Sequence, residues 1–224
     1  MYYELTWVLM LLAIIISTFA QIRISSTYSK YNKVQSRKNM PACEAARFIL
    51  DYNGLGNVEI EQIHGKLTDH YDPRAKVLRL SEAVYQSTSV AALGIAAHEA
   101  GHALQDQAGY TPLRLRGALV PVANVGSKLS WILILLGLFS GMVGFIDLGI
   151  LLFFGVVVFQ LITLPVEFNA SSRALAALEG GAVLDKDETA QTKKVLSAAA
   201  LTYVAAVLVS ILQLARLLLI RGRR

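Results

Sequence analysis

Four long uncharged runs of mostly apolar residues constrain this chain more than any other feature of its sequence. They cover residues 5–22, 129–146, 148–166 and 195–215, and they contain 18, 18, 19 and 21 residues. A helix needs roughly 20 apolar residues to cross a bilayer, with a range of about 17 to 25. Each run therefore predicts one membrane-spanning helix, with a short turn near Gly144 between the second and the third.

The composition agrees with a membrane protein that carries a small polar domain. Charged residues make up 17% of the chain and hydrophobic residues 54%, whereas soluble domains average about 25% charged residues. The net charge of +5 comes from Lys and Arg that flank the apolar runs, which indicates membrane orientation and not nucleic-acid binding. Cys43 is the single cysteine, so an intrachain disulfide and a cysteine-rich zinc site are both excluded.

Residues 23–116 have the composition of a soluble domain. Helical spacing of apolar residues predicts a helix over residues 40–52. Alternating polarity predicts a strand over residues 57–63, and residues 76–80 form a second strand candidate. The dipeptide Asp72-Pro73 favours a turn, which would include His70 and Tyr71.

The candidate metal-binding motif of the chain is His98-Glu99-Ala100-Gly101-His102, which has the pattern H-E-x-x-H. Residues four apart lie on one helix face, roughly 6 Å apart along the axis, so both imidazoles can bind one zinc ion. Glu99 lies beside them and can act as general base toward the water that zinc activates. The alternative is a pair of hydrogen-bonded histidines in an apolar core.

A catalytic zinc site needs a third protein ligand. Asp106 lies four residues beyond His102, which is too far along the helix to share the ion but suits orientation of His102. Its alternative role is an exposed charge at a helix end. Glu167 is the best candidate for the third ligand, because a carboxylate at the end of a 19-residue apolar run is costly unless it has a partner. Its alternative role is an interfacial charge that faces lipid headgroups.

Three segments together resemble the YugP-like neutral zinc metallopeptidases of bacterial membranes. They are HEAGHALQDQAGY, LTDHYDPRAKVLRLS and PVEFNASSRAL, and the resemblance extends from the first apolar run to the last. A more distant likeness is to the HtpX-type membrane peptidases, whose third zinc ligand is the Glu of an E-x-x-x-D helix. Glu167 matches that Glu, which implies the ligand set His98, His102 and Glu167. Ser171 occupies the position of the Asp in that pattern, so Asp106 or Asn169 is expected to take the outer-shell role of that Asp.

The resemblance implies a mainly α polytopic membrane protein with a small α+β zincin-like domain, in which a short sheet accompanies the H-E-x-x-H helix. We expect five consecutive segments. These are an N-terminal transmembrane helix (1–22), the catalytic domain (23–117), a transmembrane hairpin (118–166), a third-ligand helix with a polar loop (167–194), and a C-terminal transmembrane helix with a basic tail (195–224).

Other residues are candidates for supporting roles. Arg173 can reach a substrate carbonyl or a neighbouring carboxylate, or it can be a simple membrane-edge charge. His70 or Tyr71 can donate a hydrogen bond to the oxyanion that forms on the scissile carbonyl, although a structural role in the turn is the alternative. An extended substrate is expected to pair with an exposed strand at residues 76–80.

Charge predicts the orientation in the bacterial cell membrane. His102 and Glu167 must lie on one side of the membrane, and the two runs between them permit this. Twelve Lys and Arg residues near the membrane on that side indicate that it is cytoplasmic: Arg23, Lys30, Lys33, Arg37, Lys38, Arg114, Arg116, Lys128, Arg173, Lys186, Lys193 and Lys194. A fourth span then puts Arg221, Arg223 and Arg224 outside, against the same tendency.

The sequence therefore predicts a zinc metalloendopeptidase with one Zn²⁺ per chain and peptide or protein substrates. Two alternatives stay open. One is a site-two-type intramembrane protease with residues 90–104 inside the bilayer and Asp147 as third ligand. The other is a non-catalytic membrane scaffold that zinc stabilises, which would not need an intact Glu99.

Overall fold

The computed structural model describes residues 2–222. Met1, Arg223 and Arg224 lie outside the described residues, and with them part of the predicted basic tail. Seven helices and three strands follow one another in the described chain: α1 (Tyr2–Tyr31), α2 (Ala42–Tyr52), β1 (Glu59–Ile63), β2 (His70–Asp72), β3 (Val77–Ser81), α3 (Glu82–Tyr85), α4 (Val90–Gln107), α5 (Thr111–Ser140), α6 (Val143–Gly180) and α7 (Lys186–Arg221).

The chain forms two compact units. The first contains Met1–Ile22, Pro112–Pro165 and Leu201–Arg224, and the second contains Arg23–Thr111 and Val166–Ala200. The residues that the structure describes include four helices long and apolar enough to cross a membrane, namely α1, α5, α6 and α7. By length and composition, the four predicted membrane-spanning helices are therefore confirmed.

Within the first unit, a small apolar cluster holds the helices together. It is formed by Ile134, Ile146, Ile150, Phe153, Val157 and Leu217. Many large apolar side chains of this unit are exposed, among them Trp7, Phe19 and Phe139, as expected for helices whose surroundings are lipid and not water. Arg221 donates to both carboxylate oxygens of Asp147, at 2.8 and 3.2 Å. This ion pair gives one of the tail cations a partner.

The turn between the second and third apolar runs lies earlier than predicted. Helix α5 ends at Ser140 and α6 begins at Val143, and Gly141 between them has a φ of 74°. Glycine adopts this left-handed conformation without steric cost, which makes it a common helix terminator. The predicted turn at Gly144 was wrong, because a continuous apolar run does not mark where the backbone reverses.

The second unit has a small mixed sheet with strand order β1-β3-β2. β1 pairs in parallel with β3, and β2 pairs antiparallel to β3. Two predictions are corrected here. His70 and Tyr71 lie in strand β2 and not in a turn, and β3 is the central strand, hydrogen-bonded on both sides. The strand at residues 76–80 therefore cannot accept an extended substrate as a further strand.

Helices α2 and α4 supply most of the core of the second unit. The five residues predicted to share one face of α2 are all buried: Ala42, Ala45, Ala46, Ile49 and Leu50. α4 begins after Ser89, whose Oγ accepts a hydrogen bond from the N–H of Ala92 at 3.1 Å. This side chain satisfies one of the free N–H groups of the first helical turn. It also marks the residue after which α4 starts.

Candidate metal centre

Helix α4 presents two histidines from one face. His98 and His102 are four residues apart, and their ring centroids lie 4.8 Å from each other with the ring planes at 82°. The helix around them is built largely from Ala and Gly and is buried along most of its length. Small side chains let neighbouring elements approach the helix closely, and the side chains of His98 and His102 are only 15% and 10% exposed.

Helix α6 brings a carboxylate to the same point. The Oε2 atom of Glu167 lies 3.2 Å from Nε2 of His98 and 3.8 Å from Nε2 of His102, and the Glu167 side chain is 2% exposed. The ligand atoms of these three residues all lie within 4.8 Å of one another. In residues 2–222 they form the one cluster of three His, Cys, Asp or Glu residues with this convergence.

The approach of α6 to α4 depends on Gly101, which lies between the two histidines. A Cβ atom at this position would come within 2.5 Å of the backbone oxygen of Ala170. Such a distance is far below van der Waals contact, and the obstacle is backbone that cannot rotate away. Only glycine therefore allows the two helices to lie this close.

The second nitrogen of each imidazole has its own polar partner. Nδ1 of His98 lies 3.2 Å from Oγ of Ser171, and Nδ1 of His102 lies 3.0 Å from Oε1 of Gln105. Sequence reasoning missed both partners. Their positions carried a signal, because Gln105 follows His102 by three residues and Ser171 follows Glu167 by four, so each pair shares a helix face.

Glu99 is held by the sheet. Its side chain is buried, and its Oε2 atom accepts a hydrogen bond from the backbone N–H of Tyr71 in β2 at 3.1 Å. A backbone donor on a strand moves little, so it fixes the direction of the carboxylate. The short strand β2, which the sequence did not predict, is therefore what orients this residue.

Asp106 has contacts other than the one predicted for it. It accepts hydrogen bonds from the Tyr71 hydroxyl at 2.8 Å and from the ammonium group of Lys76. Burial, and then the hydrogen bond and charge of Asp106, raise the pKa of the Tyr71 phenol. The phenol is therefore protonated at neutral pH and donates to Asp106. Asp106 was predicted to orient His102, but Gln105 is the residue that contacts Nδ1 of His102.

The remaining candidates, His70 and Arg173, have other hydrogen-bond partners. His70 is exposed, and its Nδ1 atom lies 2.7 Å from the backbone oxygen of Thr68. Arg173 donates from Nε to Oδ1 of Asn169 at 2.8 Å, and the same Oδ1 accepts from the Gln105 amide at 3.0 Å. Arg173 is thus linked through two amide side chains to His102.

The donor set suits zinc. Two imidazole nitrogens and one carboxylate oxygen are a ligand combination of catalytic zinc sites, where a fourth position stays open for water or substrate. Burial is the main influence on the pKa of His102, which it lowers, and so it favours the neutral imidazole. Neutral imidazole is the form that binds a metal ion.

Comparison with known proteins identifies the relatives of this chain. Residues 6–222 match the model of a family described as "Putative neutral zinc metallopeptidase". The chain is similar to the "Putative membrane protease YugP" of Bacillus subtilis (strain 168), with 49% identity over 205 residues, which cover 92% of this chain and 91% of that protein. No solved structure matches the chain.

We predict that Gly101→Ala weakens zinc binding by about tenfold or more, because the added methyl group pushes Ala170 and its helix away from α4. Gly180→Ala is the matched control, since it lies on the same helix as Ala170 and a Cβ there meets nothing within 4 Å. Zinc affinity is measured by competition with a chromophoric chelator. Wild-type affinity in both variants would contradict the role given to Gly101.

Proposed function

The chain belongs to the neutral zinc metallopeptidase family, and on this basis we propose that it hydrolyses peptide bonds in membrane or unfolded proteins at a zinc ion held by His98, His102 and Glu167. The observation that carries the proposal is the convergence of these three side chains, whose ligand atoms lie within 4.8 Å of one another. It combines the H-E-x-x-H spacing on α4 with a carboxylate from α6, which is the gluzincin-like arrangement.

The three residues would bind zinc through Nε2 of each histidine and a carboxylate oxygen of Glu167. Both Nε2 atoms face that carboxylate, whereas both Nδ1 atoms face other partners. When bound, zinc would polarise the carbonyl of a peptide bond and make a water molecule a stronger acid.

Glu99 is the proposed general base. It takes one proton from the attacking water, whose oxygen bonds to the carbonyl carbon of the scissile peptide. When the carbon–nitrogen bond breaks, Glu99 passes this proton to the departing amine. The hydrogen bond from the Tyr71 N–H supports this role, because it holds the carboxylate in one direction through both transfers.

The two alternatives receive less support. A site-two-type protease would need α4 inside the bilayer and Asp147 as a ligand. Yet α4 is not among the four candidate spans of the described chain, and Asp147 pairs with Arg221. A purely structural zinc site would have no use for Glu99, whose carboxylate is buried next to a ligand and fixed by a backbone donor.

We also propose that the catalytic side is cytoplasmic and that the zinc site lies at the membrane surface. The support is the excess of Lys and Arg near the membrane in residues 23–128 and 173–194. A site in this position can reach the juxtamembrane loops of membrane proteins without leading water into the bilayer.

Replacement of Glu167 tests the ligand set. We expect wild-type protein to bind one zinc per chain and Glu167→Ala to bind it more than about 100-fold more weakly, a loss greater than the 10- to 100-fold typical of an orienting partner. Glu179→Ala, an exposed glutamate on the same helix, should match wild type. Unchanged stoichiometry and affinity in Glu167→Ala would remove Glu167 from the ligand set.

Replacement of Glu99 tests the mechanism. Glu99→Gln keeps an acceptor for the Tyr71 N–H but cannot take a proton, so we expect zinc content to stay at the wild-type level. Hydrolysis of a casein-type substrate should fall by about 10²- to 10⁴-fold. Glu59→Gln, on the exposed side of β1, should retain activity. A Glu99→Gln variant as active as wild type would point to another base.

Labelling of single cysteines tests the orientation. In a Cys43→Ser background, cysteines at Gln62 and Asp187 should react with a membrane-impermeant thiol reagent only after the cytoplasmic side is opened. A cysteine at Met142, between α5 and α6, should react from the opposite side. If Gln62 and Met142 are labelled from the same side, the orientation proposed here is wrong.

A further inference from the structure

Gln105 is a fully buried polar residue that the proposed reaction does not use. Its Oε1 atom lies 3.0 Å from Nδ1 of His102, and its Nε2 atom donates to the backbone oxygen of Val166 at 2.8 Å and to Oδ1 of Asn169 at 3.0 Å. A buried amide with every contact satisfied holds a fixed position, because each lost hydrogen bond would leave a desolvated polar atom.

The neighbours of Gln105 determine which end of its amide faces the histidine. The backbone oxygen of Val166 can only accept a hydrogen bond. The guanidinium group of Arg173 can only donate, and it donates to Oδ1 of Asn169 at 2.8 Å. Both oxygens that face Gln105 therefore require its NH₂ group. The amide oxygen is left to face His102, and an oxygen there can only accept.

We infer that Gln105 is a positioning residue that sets the tautomer of His102. With an acceptor at 3.0 Å, Nδ1 carries the proton. The Oε2 atom of Glu167 lies 3.8 Å from Nε2, which is too far for a hydrogen bond, so Nε2 keeps its lone pair for a metal ion. The hydrogen bond at one ring nitrogen decides the state of the other. The benefit for zinc binding rests on the proposed function, whereas the tautomer itself does not.

The residues that fix Gln105 come from one face of α6. Val166, Asn169 and Arg173 follow one another at spacings of three and four residues, which puts them on one side of the helix. The same helix carries Glu167. The element that supplies the carboxylate therefore also determines, through Gln105, which nitrogen of His102 is available to a metal ion.

His98 has different neighbours. Its Nδ1 atom lies 3.2 Å from the hydroxyl of Ser171, and a hydroxyl can donate or accept. This contact is compatible with either tautomer of His98, whereas the Glu167 oxygen that lies 3.2 Å from its Nε2 atom can only accept a hydrogen bond. The two histidines therefore differ in a way that an experiment can detect, and His98 provides an internal reference.

The tautomer can be read by ¹⁵N NMR of metal-free protein in which only histidine is labelled. The chain has four histidines, and replacement of each in turn assigns the signals. At a pH of about 8.5, two units above the ordinary histidine pKa of about 6.5, the unperturbed imidazoles are neutral. We expect His102 of the wild-type protein to carry its proton on Nδ1. A proton on Nε2 would overturn the inference without any variant.

Two variants test the role of this hydrogen bond. Gln105→Leu keeps the approximate volume without an acceptor, so His102 should lose its preference for the Nδ1–H form while His98 stays unchanged. Gln107→Leu is the control, because Gln107 is an exposed glutamine on the same helix that donates to the backbone oxygen of Asn53. An unchanged tautomer of His102 in Gln105→Leu would overturn the inference.

Zinc affinity gives the second measurement. We expect about 10- to 100-fold weaker binding in Gln105→Leu, the range typical for loss of an orienting partner, and wild-type affinity in Gln107→Leu. Wild-type affinity in Gln105→Leu would overturn the positioning role toward the metal. If wild-type protein shows the Nδ1–H tautomer yet binds no zinc, the proposed function fails while the control of the tautomer holds.

Discussion

The close approach of α4 and α6 in the second unit is the constraint on which the rest of the site depends. Burial of the Glu167 carboxylate is unfavourable unless polar partners compensate for lost hydration, and here Nε2 of His98 on α4 lies 3.2 Å from its Oε2 atom. The two helices can approach this closely because Gly101 has no side chain where α4 faces the backbone of Ala170. The assembly of a donor set that suits zinc thus depends on the absence of a Cβ atom at Gly101.

Around this contact, His98, His102 and Glu99 of the proposed site each have a polar partner from another element or another turn. Gln105 and Ser171 contact the Nδ1 atoms of the two histidines, and a backbone N–H of β2 contacts Glu99. Such partners fix ring orientation and carboxylate direction, which would lower the reorganisation needed for the proposed reaction. The small sheet therefore has a clear use, because its edge strand carries the group that orients the proposed base.

The apolar helices and the polar site are parts of the same chain elements. Helix α6 contains an apolar run that predicts a membrane span and, directly after it, Glu167, Asn169 and Arg173. Under the proposed function, one continuous helix anchors the chain in the bilayer and also carries residues of the site. Another charged contact, Arg221 with Asp147, lies within the first unit and joins the end of α7 to the first turns of α6.

The sequence by itself determined what local spacing and composition can encode. Apolar runs of 18 to 21 residues gave four candidate spans, and H-E-x-x-H spacing selected two histidines; the buried face of α2 also followed from periodicity. Only the tertiary structure decided the turn at Gly141, the central place of β3, and the partners Gln105 and Ser171. These depend on backbone direction and on contacts between residues up to 73 positions apart. Periodicity describes one element at a time, whereas such contacts are set by how separate elements pack.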